Sequence, residues 1–484
     1  VLQPVPKPDK ESLRALKRSA QVIAGKIRNR SGGLQPSYPY SQVVNGYSGK
    51  KRTVYENAMR DLASAPSSAL DARVNMFIKA EKAWQEPKDP RPIQARNPRH
   101  NLELASILKP VEHQVYSLTS FRKEMGCRPD FRKTKIFGKC ANAEERARLI
   151  LDKWDTFKDP ICLSLDASRF DAHVDVDVLE VEHQFYLSLC DPKDKHRLNE
   201  LLQYHKHNKG RTSTGIKYKA LGRRMSGDTN TALGNCTLML LFVFTAMRKL
   251  GIKSYDVLDD GDDVLLFLDR KDEDRVLTSL TKIFLGFGQE LKVDEVARNP
   301  WEISWCQTKL TQRSNGSVAM VRDFRKLLAT GGTSHRYYDH VKTGRKVMKS
   351  VGTCELYLGR GVPILQEYAL MLLREAGDVD LASQFDEALE HRVGLEGGMK
   401  KVAEFAAAMP INDACRAAFE LTWGITPDQQ IQLEDELKAV RIDWSSGMVN
   451  LGQLDVVGDR STRLLPWETS TIAYGVSGRL GPYT

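Results

Sequence analysis

Residues 255–268 read YDVLDDGDDVLLFL. Two apolar runs flank a DDGDD turn, and a glycine at a tight turn between such runs is the signature of a β-hairpin. Asp262 and Asp263 would sit at its tip, with Asp259 and Asp260 before the glycine as hairpin support. Upstream, ICLSLD (161–166) is a short apolar run ending in a carboxylate, and reads as a buried strand that closes at Asp166. Asp171 follows five residues later, in DASRFD. Carboxylates at strand ends lie outside the ladder and can converge on a shared cation. Mg²⁺ takes oxygen ligands, commonly one or two carboxylates completed by water and substrate phosphates. Two such ions about 3.5–4 Å apart can stabilise both oxygens of an in-line phosphoryl transfer. Acids crowded this closely would repel one another without a cation. Taken alone, DDGDD is equally readable as a polar turn.

A third segment changes that balance. GRRMSGDTNTALGNCTLM (222–239) places a flexible Ser226-Gly227 loop before Thr229-Asn230-Thr231, which opens a helix expected to run to about Leu250. Asn230 offers both donor and acceptor groups, although Ser and Asp at a helix start are also ordinary caps. Around this centre the pattern predicts helices over 9–30, 53–64, 70–84, 142–154, 176–189 and 276–286. LKVDEV (291–296) predicts a strand. A second hairpin is expected in ISWCQTKLTQRSNGSVAMVRD, with Asn315-Gly316 suited to a type I′ turn. The Pro-punctuated stretch 87–98 cannot be a continuous helix. Beyond Arg322 the pattern is mainly helical, over 363–376, 379–392, 398–408, 411–423 and 427–440, with a Gly-, Ser- and Thr-rich tail from Ser445.

At 484 residues the chain exceeds what one hydrophobic core usually serves, so two or three subdomains are expected. With 41% apolar, 28% charged and 8% aromatic residues it is neither disordered nor collagen-like. The net charge of +10 is uneven: residues 1–150 hold 29 Lys/Arg against 14 Asp/Glu, so the remainder is net acidic. A basic front third suggests a polyanion such as nucleic acid, or simply a solvated basic surface. The 8 cysteines form no C-x-x-C pair and no zinc spacing, so reduced thiols are expected. The longest apolar run, about Leu238–Met247, falls far short of the ~20 residues of a membrane span. The chain begins with Val, which suggests a fragment or processed product, and any anchor could lie upstream.

In this order, Asp166-x4-Asp171, then SGDTNT with Asn235, then Gly261-Asp262-Asp263, the chain resembles the A, B and C motifs of viral RNA-dependent RNA polymerases. The wording is closest to the tombusvirus-like plant viruses of carmovirus and umbravirus type. YSGKKRTVYENA (47–58), FIKAEK (77–82), RPIQARNPRHN (91–101) and LKPVEHQVY (108–116) resemble that family's fingers motifs, and KVDEV and ISWCQ its D and E motifs. The resemblance implies an α+β right-hand polymerase fold: fingers over 1–160, palm over 161–175, an insertion over 176–220, palm again over 221–322, and a helical thumb and tail over 323–484.

The resemblance also implies template-directed RNA synthesis from NTPs, with Asp166, Asp262 and Asp263 holding Mg²⁺ (or Mn²⁺ in its place). Lys82 and Arg91 would face the incoming triphosphate. Lys79, Arg96 and Arg99 are read as phosphate-binding, RNA-binding or solvated cations. Ser226 and Gly227 would form a mobile loop beside the template and nascent pair, and Asp171 with Asn230 would sense the ribose. Lys292 would donate a proton to pyrophosphate, or is a surface lysine beside a strand. Cys306 and His113 are read as structural. A reverse transcriptase, sharing the palm, would carry a bulky aromatic where Asp171 stands. Implied partners are RNA template and product, NTPs and a viral auxiliary replication protein, at membrane-associated sites in the host cytoplasm.

Overall fold

A computed structural model describes residues 4–31, 33–79, 90–120, 133–332, 340–382, 398–442 and 444. Among these, 4–139 and 149–306 form one compact unit, and 140–148 with 307–444 a second.

In the first unit, α1 (Lys10–Ser31) turns Leu16, Ala20, Ile23, Ala24 and Ile27 inward. That spacing of three and four residues makes one helical stripe. Helices α2 (Tyr40–Asn45) and α3 (Gly49–Leu62) precede a hairpin of β1 (Val74–Ile78) and β2 (Pro92–Ala95). The helix expected over 70–84 is therefore corrected: Val74–Ile78 is a strand, because β1 pairs with β2 on one side and with a strand 136 residues later on the other. Residues 80–89 lie outside the described ones.

Helix α4 (Pro98–Tyr116) begins at Asn97, whose side chain accepts from the Arg99 N–H, with Pro98 at the first helical position. Pro110 sits inside it and lacks an N–H, freeing the Ser106 carbonyl four residues back. The Tyr38 N–H occupies that carbonyl at 2.8 Å.

After α5 (Ala143–Trp154) come β3 (Pro160–Ala167), the short α6 (Phe170–His173), α7 (Val176–Leu189) and α8 (Lys195–Lys206). Next are the hairpin β4 (His207–Thr212) and β5 (Lys217–Leu221) and the core helix α9 (Thr231–Leu250). Then follow β6 (Tyr255–Asp259), β7 (Asp263–Asp269), α10 (Glu273–Gly286), β8 (Leu291–Ala297) and β9 (Ser304–Trp305).

Four strands form an antiparallel sheet in the order β6-β7-β3-β8, and the expected 255–268 hairpin is its β6–β7 pair. A second sheet has the order β2-β1-β4-β5, with β1 and β4 parallel. Helix α9 is long and apolar enough to cross a membrane, but 83% of its apolar window is buried in the protein. It packs with α1, α7 and α10 around Leu238, Phe242, Phe284 and Phe287 and is a core helix. Gly251, in the left-handed region at φ 67°, ends it, and Arg248 and Lys249 complement its dipole.

In the second unit, β10 (Thr308–Gln312) and β11 (Val318–Arg322) pair antiparallel. The type I′ turn is corrected. Gly316 has φ 79° but Asn315 stays at negative φ, and Arg313 N–H reaches Ser317 O at 2.8 Å. The connection is thus a three-residue loop with glycine in the left-handed position. Helices follow: α11 (Phe324–Thr330), α12 (Val341–Gly359), α13 (Leu365–Ala376), α14 (Gly398–Phe405), α15 (Asp413–Trp423) and α16 (Pro427–Ala439). Phe324, Met348, Tyr368, Leu372, Phe419 and Leu437 are in their shared core. The expected helix over 379–392 and the tail from Ser445 fall largely or wholly outside the described residues.

Candidate active site

Strand β3 lies between β7 and β8, and the register sets Asp263, Asp166 and Lys292 side by side across the three. Directly opposed residues project to the same face of a sheet, so two acids and a cation form one row. Asp262 stands beside them at the β6–β7 turn. Gly261 makes that turn at φ 100°, and its N–H donates to Asp259 Oδ1 at 2.7 Å. Asp259 is fully buried, and Asp260 is paired with the Lys139 ammonium and accepts from the Cys306 thiol at 3.4 Å. The acids before the glycine support the turn, as expected, while Asp262 is exposed.

The electrostatics show the cost of this crowding. Asp263 is exposed as a residue, yet enclosure of its carboxyl and then the charges of Asp262, Asp166 and Asp260 push its pKa up to about 6. Asp166 is raised by partial burial, then by Asp294 and Asp262. Among the described residues, no three His, Cys, Asp or Glu side chains stand ready to hold a metal ion. The acids nevertheless fit a divalent cation: they are oxygen donors, they share one end of a sheet, and the Asp262 charge raises the proton affinity of both Asp166 and Asp263. Lys292 is exposed, and its ammonium meets Asp294 at 2.5 Å, which raises its pKa.

Asp171 lies one helical turn beyond β3, on α6. Its Oδ1 accepts from the Asn235 amide at 3.0 Å. Asn235 Oδ1 accepts from Arg224 Nε at 3.0 Å, and Arg224 is held by both oxygens of buried Glu182 on α7. Tyr186 donates to the same carboxylate at 2.8 Å. Asn230 does not face Asp171: it is 2% exposed, and its amide points to Glu182 Oε1 at 3.4 Å. Asp171 and Asn230 are expected on two sides of one ribose pocket; in the structure Asp171 is hydrogen-bonded to Asn235, and Asn230 lies against Glu182. Asn235 is one turn inside α9, where a side chain leans back toward the helix start. Burial raises the pKa of Asp171, opposed by the Asn235 hydrogen bond and the Arg224 charge. Sequence reasoning missed Arg224 and Glu182 as site residues; the signal for Arg224 was its place two residues before Ser226.

The loop at Ser226 and Gly227 is held against β2. Gly227 N–H donates to Gln94 O at 2.9 Å, and a Cβ there would lie 2.7 Å from the Ala95 backbone. Ser226 Oγ donates to Pro92 O at 3.3 Å. Lys79 and Arg91 are exposed neighbours where β1 and β2 part, joined by a 2.9 Å backbone hydrogen bond, and the Arg91 charge is felt at Asp171. Lys82 lies outside the described residues.

Arg96 corrects an expectation. It is 4% exposed and bound to Asp228 at 2.7 Å, to the Ala72 carbonyl and to Asn208. It is an interior cation that offers nothing to RNA on the surface. Arg99 meets Asp71 at 3.3 Å and the Ala65 carbonyl at 2.9 Å. His113 makes an edge contact with Tyr38, in keeping with a packing role. Cys140, Cys162, Cys190, Cys236 and Cys415 form no disulfide.

A row of acids on an antiparallel sheet, beside an Asp–Asn pair, makes the candidate site, and comparison with known proteins places the chain in a family. The model of the family described as viral RNA dependent RNA polymerase matches residues 1–445, and the chain belongs to that family. It is 34% identical over 417 residues to the RNA-directed RNA polymerase of Carnation mottle virus, covering 84% of this chain and 52% of that protein. It is 30% identical over 453 residues to that of Oat chlorotic stunt virus, covering 88% and 58%. For Cymbidium ringspot virus the figures are 30% over 449 residues, covering 90% and 51%. The chain thus spans about half the length of the curated relatives it matches. These relatives accord with the tombusvirus-like resemblance read from the sequence.

Proposed function

We propose that the chain is the catalytic part of a viral replicase and performs template-directed RNA synthesis. A 3′-hydroxyl attacks the α-phosphorus of an NTP, the P–O bond to the β-phosphate breaks, and pyrophosphate leaves. The observation that carries this reading is the register that sets Asp166 opposite Asp263, with Asp262 at the adjoining turn. Asp166, Asp262 and Asp263 would hold Mg²⁺, or Mn²⁺ in its place, and such cations would neutralise charge on the attacking and leaving oxygens. The protein's own share is positioning and electrostatic preorganisation. Asp171 and Asn235 would take the ribose hydroxyl, while Arg91 and Lys79, with Lys82, would meet the triphosphate. Lys292 is the proposed proton donor to pyrophosphate.

In this reading the four-stranded sheet and α9 are the palm, the β1–β2–β4–β5 sheet with the N-terminal helices belongs to the fingers, and the helices after Arg322 are the thumb. The proposed setting is a membrane-associated replication site in the host cytoplasm, with an auxiliary viral protein.

Primer extension on an RNA template with Mg²⁺ tests the activity. Extension with NTPs in strong preference to dNTPs is expected. Extension with dNTPs alone would make the chain a reverse transcriptase, and none with either would leave a binding protein.

A further inference from the structure

With Arg96 interior, one of the cations expected to meet RNA is withdrawn from the surface, and a cationic face elsewhere becomes of interest. Between Glu200 and Asp228 the chain has no acidic residue, yet it holds Lys206, Lys209, Arg211, Lys217, Lys219, Arg223 and Arg224. Four of these sit on the β4–β5 hairpin. The register sets Lys209 directly opposite Lys219 and Arg211 directly opposite Lys217. All four are exposed, and among the described residues none has a carboxylate within ion-pair distance. Opposed like charges weaken a hairpin. Lysines on an edge strand do discourage sheet-to-sheet pairing, but that would need only β5, whereas both strands here carry cations on one face.

The other face of the same sheet is occupied. Val74 and Ala220 pack on Met225, the Tyr218 hydroxyl donates to Gln94 at 2.7 Å, and Gln94 meets the Ser226-Gly227 loop. The cationic face therefore looks away from the loop that precedes the candidate active site. Beside it on β1, Asn75 is in register with Arg211, and Phe77 is 48% exposed on the same side. Same-face residues repeat every ~6.7 Å along a strand, which suits a row of backbone phosphates. An exposed aromatic next to a cationic groove is what single-stranded nucleic acid uses for base stacking.

We propose that this outward face, Lys209, Arg211, Lys217 and Lys219 with Phe77, docks single-stranded RNA outside the catalytic cleft. The choice of RNA as the polyanion rests on the polymerase reading; the site itself rests on the charge register.

The test is binding of an unstructured, labelled RNA oligomer to the full chain across a salt series, without NTPs. Exchanging the four cations for Gln should weaken binding more than tenfold at low salt. It should also flatten the slope of log affinity against log salt by roughly 3, at about 0.7 per phosphate contact in single strands. Phe77→Ala should weaken binding several-fold while leaving the slope as it was. Lys219→Glu guards against misfolding: it sets an opposite charge across from Lys209, so the chain should melt no lower than wild type and still lose RNA affinity. An unchanged slope in the four-Gln protein overturns the proposal. So does an oligoglutamate that displaces the RNA at equal charge concentration, since that would mark an acidic protein's docking face. Loss of slope in a chain that fails to polymerise would support the face and count only against the polymerase reading.

Discussion

At the scale of single residues, the candidate site turns on what Asp171 touches. Its carboxylate accepts from Asn235 and is raised by burial, so a ribose 2′-hydroxyl arriving there finds a carboxylate to donate to and an amide to accept from. A deoxyribose makes neither contact and leaves Asp171 and Asn235 bonded only to each other, forgoing roughly 1–3 kcal/mol for a hydrogen bond to a charged group. Asn235→Ala and Asp171→Ala should therefore narrow the NTP-to-dNTP ratio of kcat/KM by about tenfold or more, chiefly by lowering the NTP value. Asn230→Ala should narrow it less, because Asn230 is buried against Glu182. Measured ratios for GTP and dGTP on one template check all three; equal ratios would place sugar sensing elsewhere. The residue types were legible: Asp171 and an asparagine after Ser226-Gly227 were both expected. That Asn235 is the one bonded to Asp171 was not, because Asn230 and Asn235 differ by a turn and a third of helix, and the start of α9 at Thr231 decides which leans toward Asp171.

At the scale of elements, Arg224 ties the helices together. It lies in the loop before α9, is clamped by Glu182 on α7, and holds Asn235 on α9. Removing one partner of a buried pair costs about 3–5 kcal/mol, because the other charge is stranded. Glu182→Ala should lower the melting temperature sharply. Glu182→Gln keeps one acceptor and should fold, yet it should also narrow the sugar ratio, since Arg224 is then free to turn from Asn235. A wild-type ratio in folded Glu182→Gln would make the pair purely structural.

Nearby, His183 on α7, His205 on α8 and His100 on α4 are all buried, with His100 and His205 in nitrogen-to-nitrogen contact at 3.2 Å. Burial drives the pKa of His100 down to about 3 and those of His183 and His205 well below the usual value. Unfolded histidines protonate near 6.5, so below that pH the unfolded chain binds more protons. Stability present at neutral pH is lost as the pH falls, by up to about 1.4 kcal/mol per pH unit for each ring. His183→Phe should reduce the drop in melting temperature between pH 7 and pH 5; an equal drop would remove His183 from the account.

Elements with local signals were readable. β6 and β7 announce themselves by apolar runs around Gly261, and Val176–Leu189 is a helix over the expected span. β1 was not, since Met, Ala and Lys around 76–82 favour a helix locally, and the partner that makes Val74–Ile78 a strand is residues 210–212. Helix α12 was also missed: Gly344, Gly352 and several β-branched residues lower its helix propensity, and packing against α13 compensates.

At the scale of the whole molecule, the order of three segments carried the family, and residues 1–445 match it. Residues 1–150 hold the excess of cations, yet Arg96 is interior, and the acid-free hairpin at 207–221 lies in the net acidic remainder. Composition counts charges, whereas strand register decides which of them meet solvent.

The central claim is that acids brought together by the β3–β7 register form a metal-dependent nucleotidyl-transfer site. The most direct measurement is single-nucleotide extension of a primed RNA template with Mg²⁺, comparing the wild-type chain with Asp262→Ala. Asp262 is an exposed turn residue, so the variant should keep its circular dichroism and melting temperature. The account predicts a loss of at least about a hundredfold in rate, or ~2.7 kcal/mol of barrier. A folded Asp262→Ala that extends the primer near the wild-type rate would contradict it.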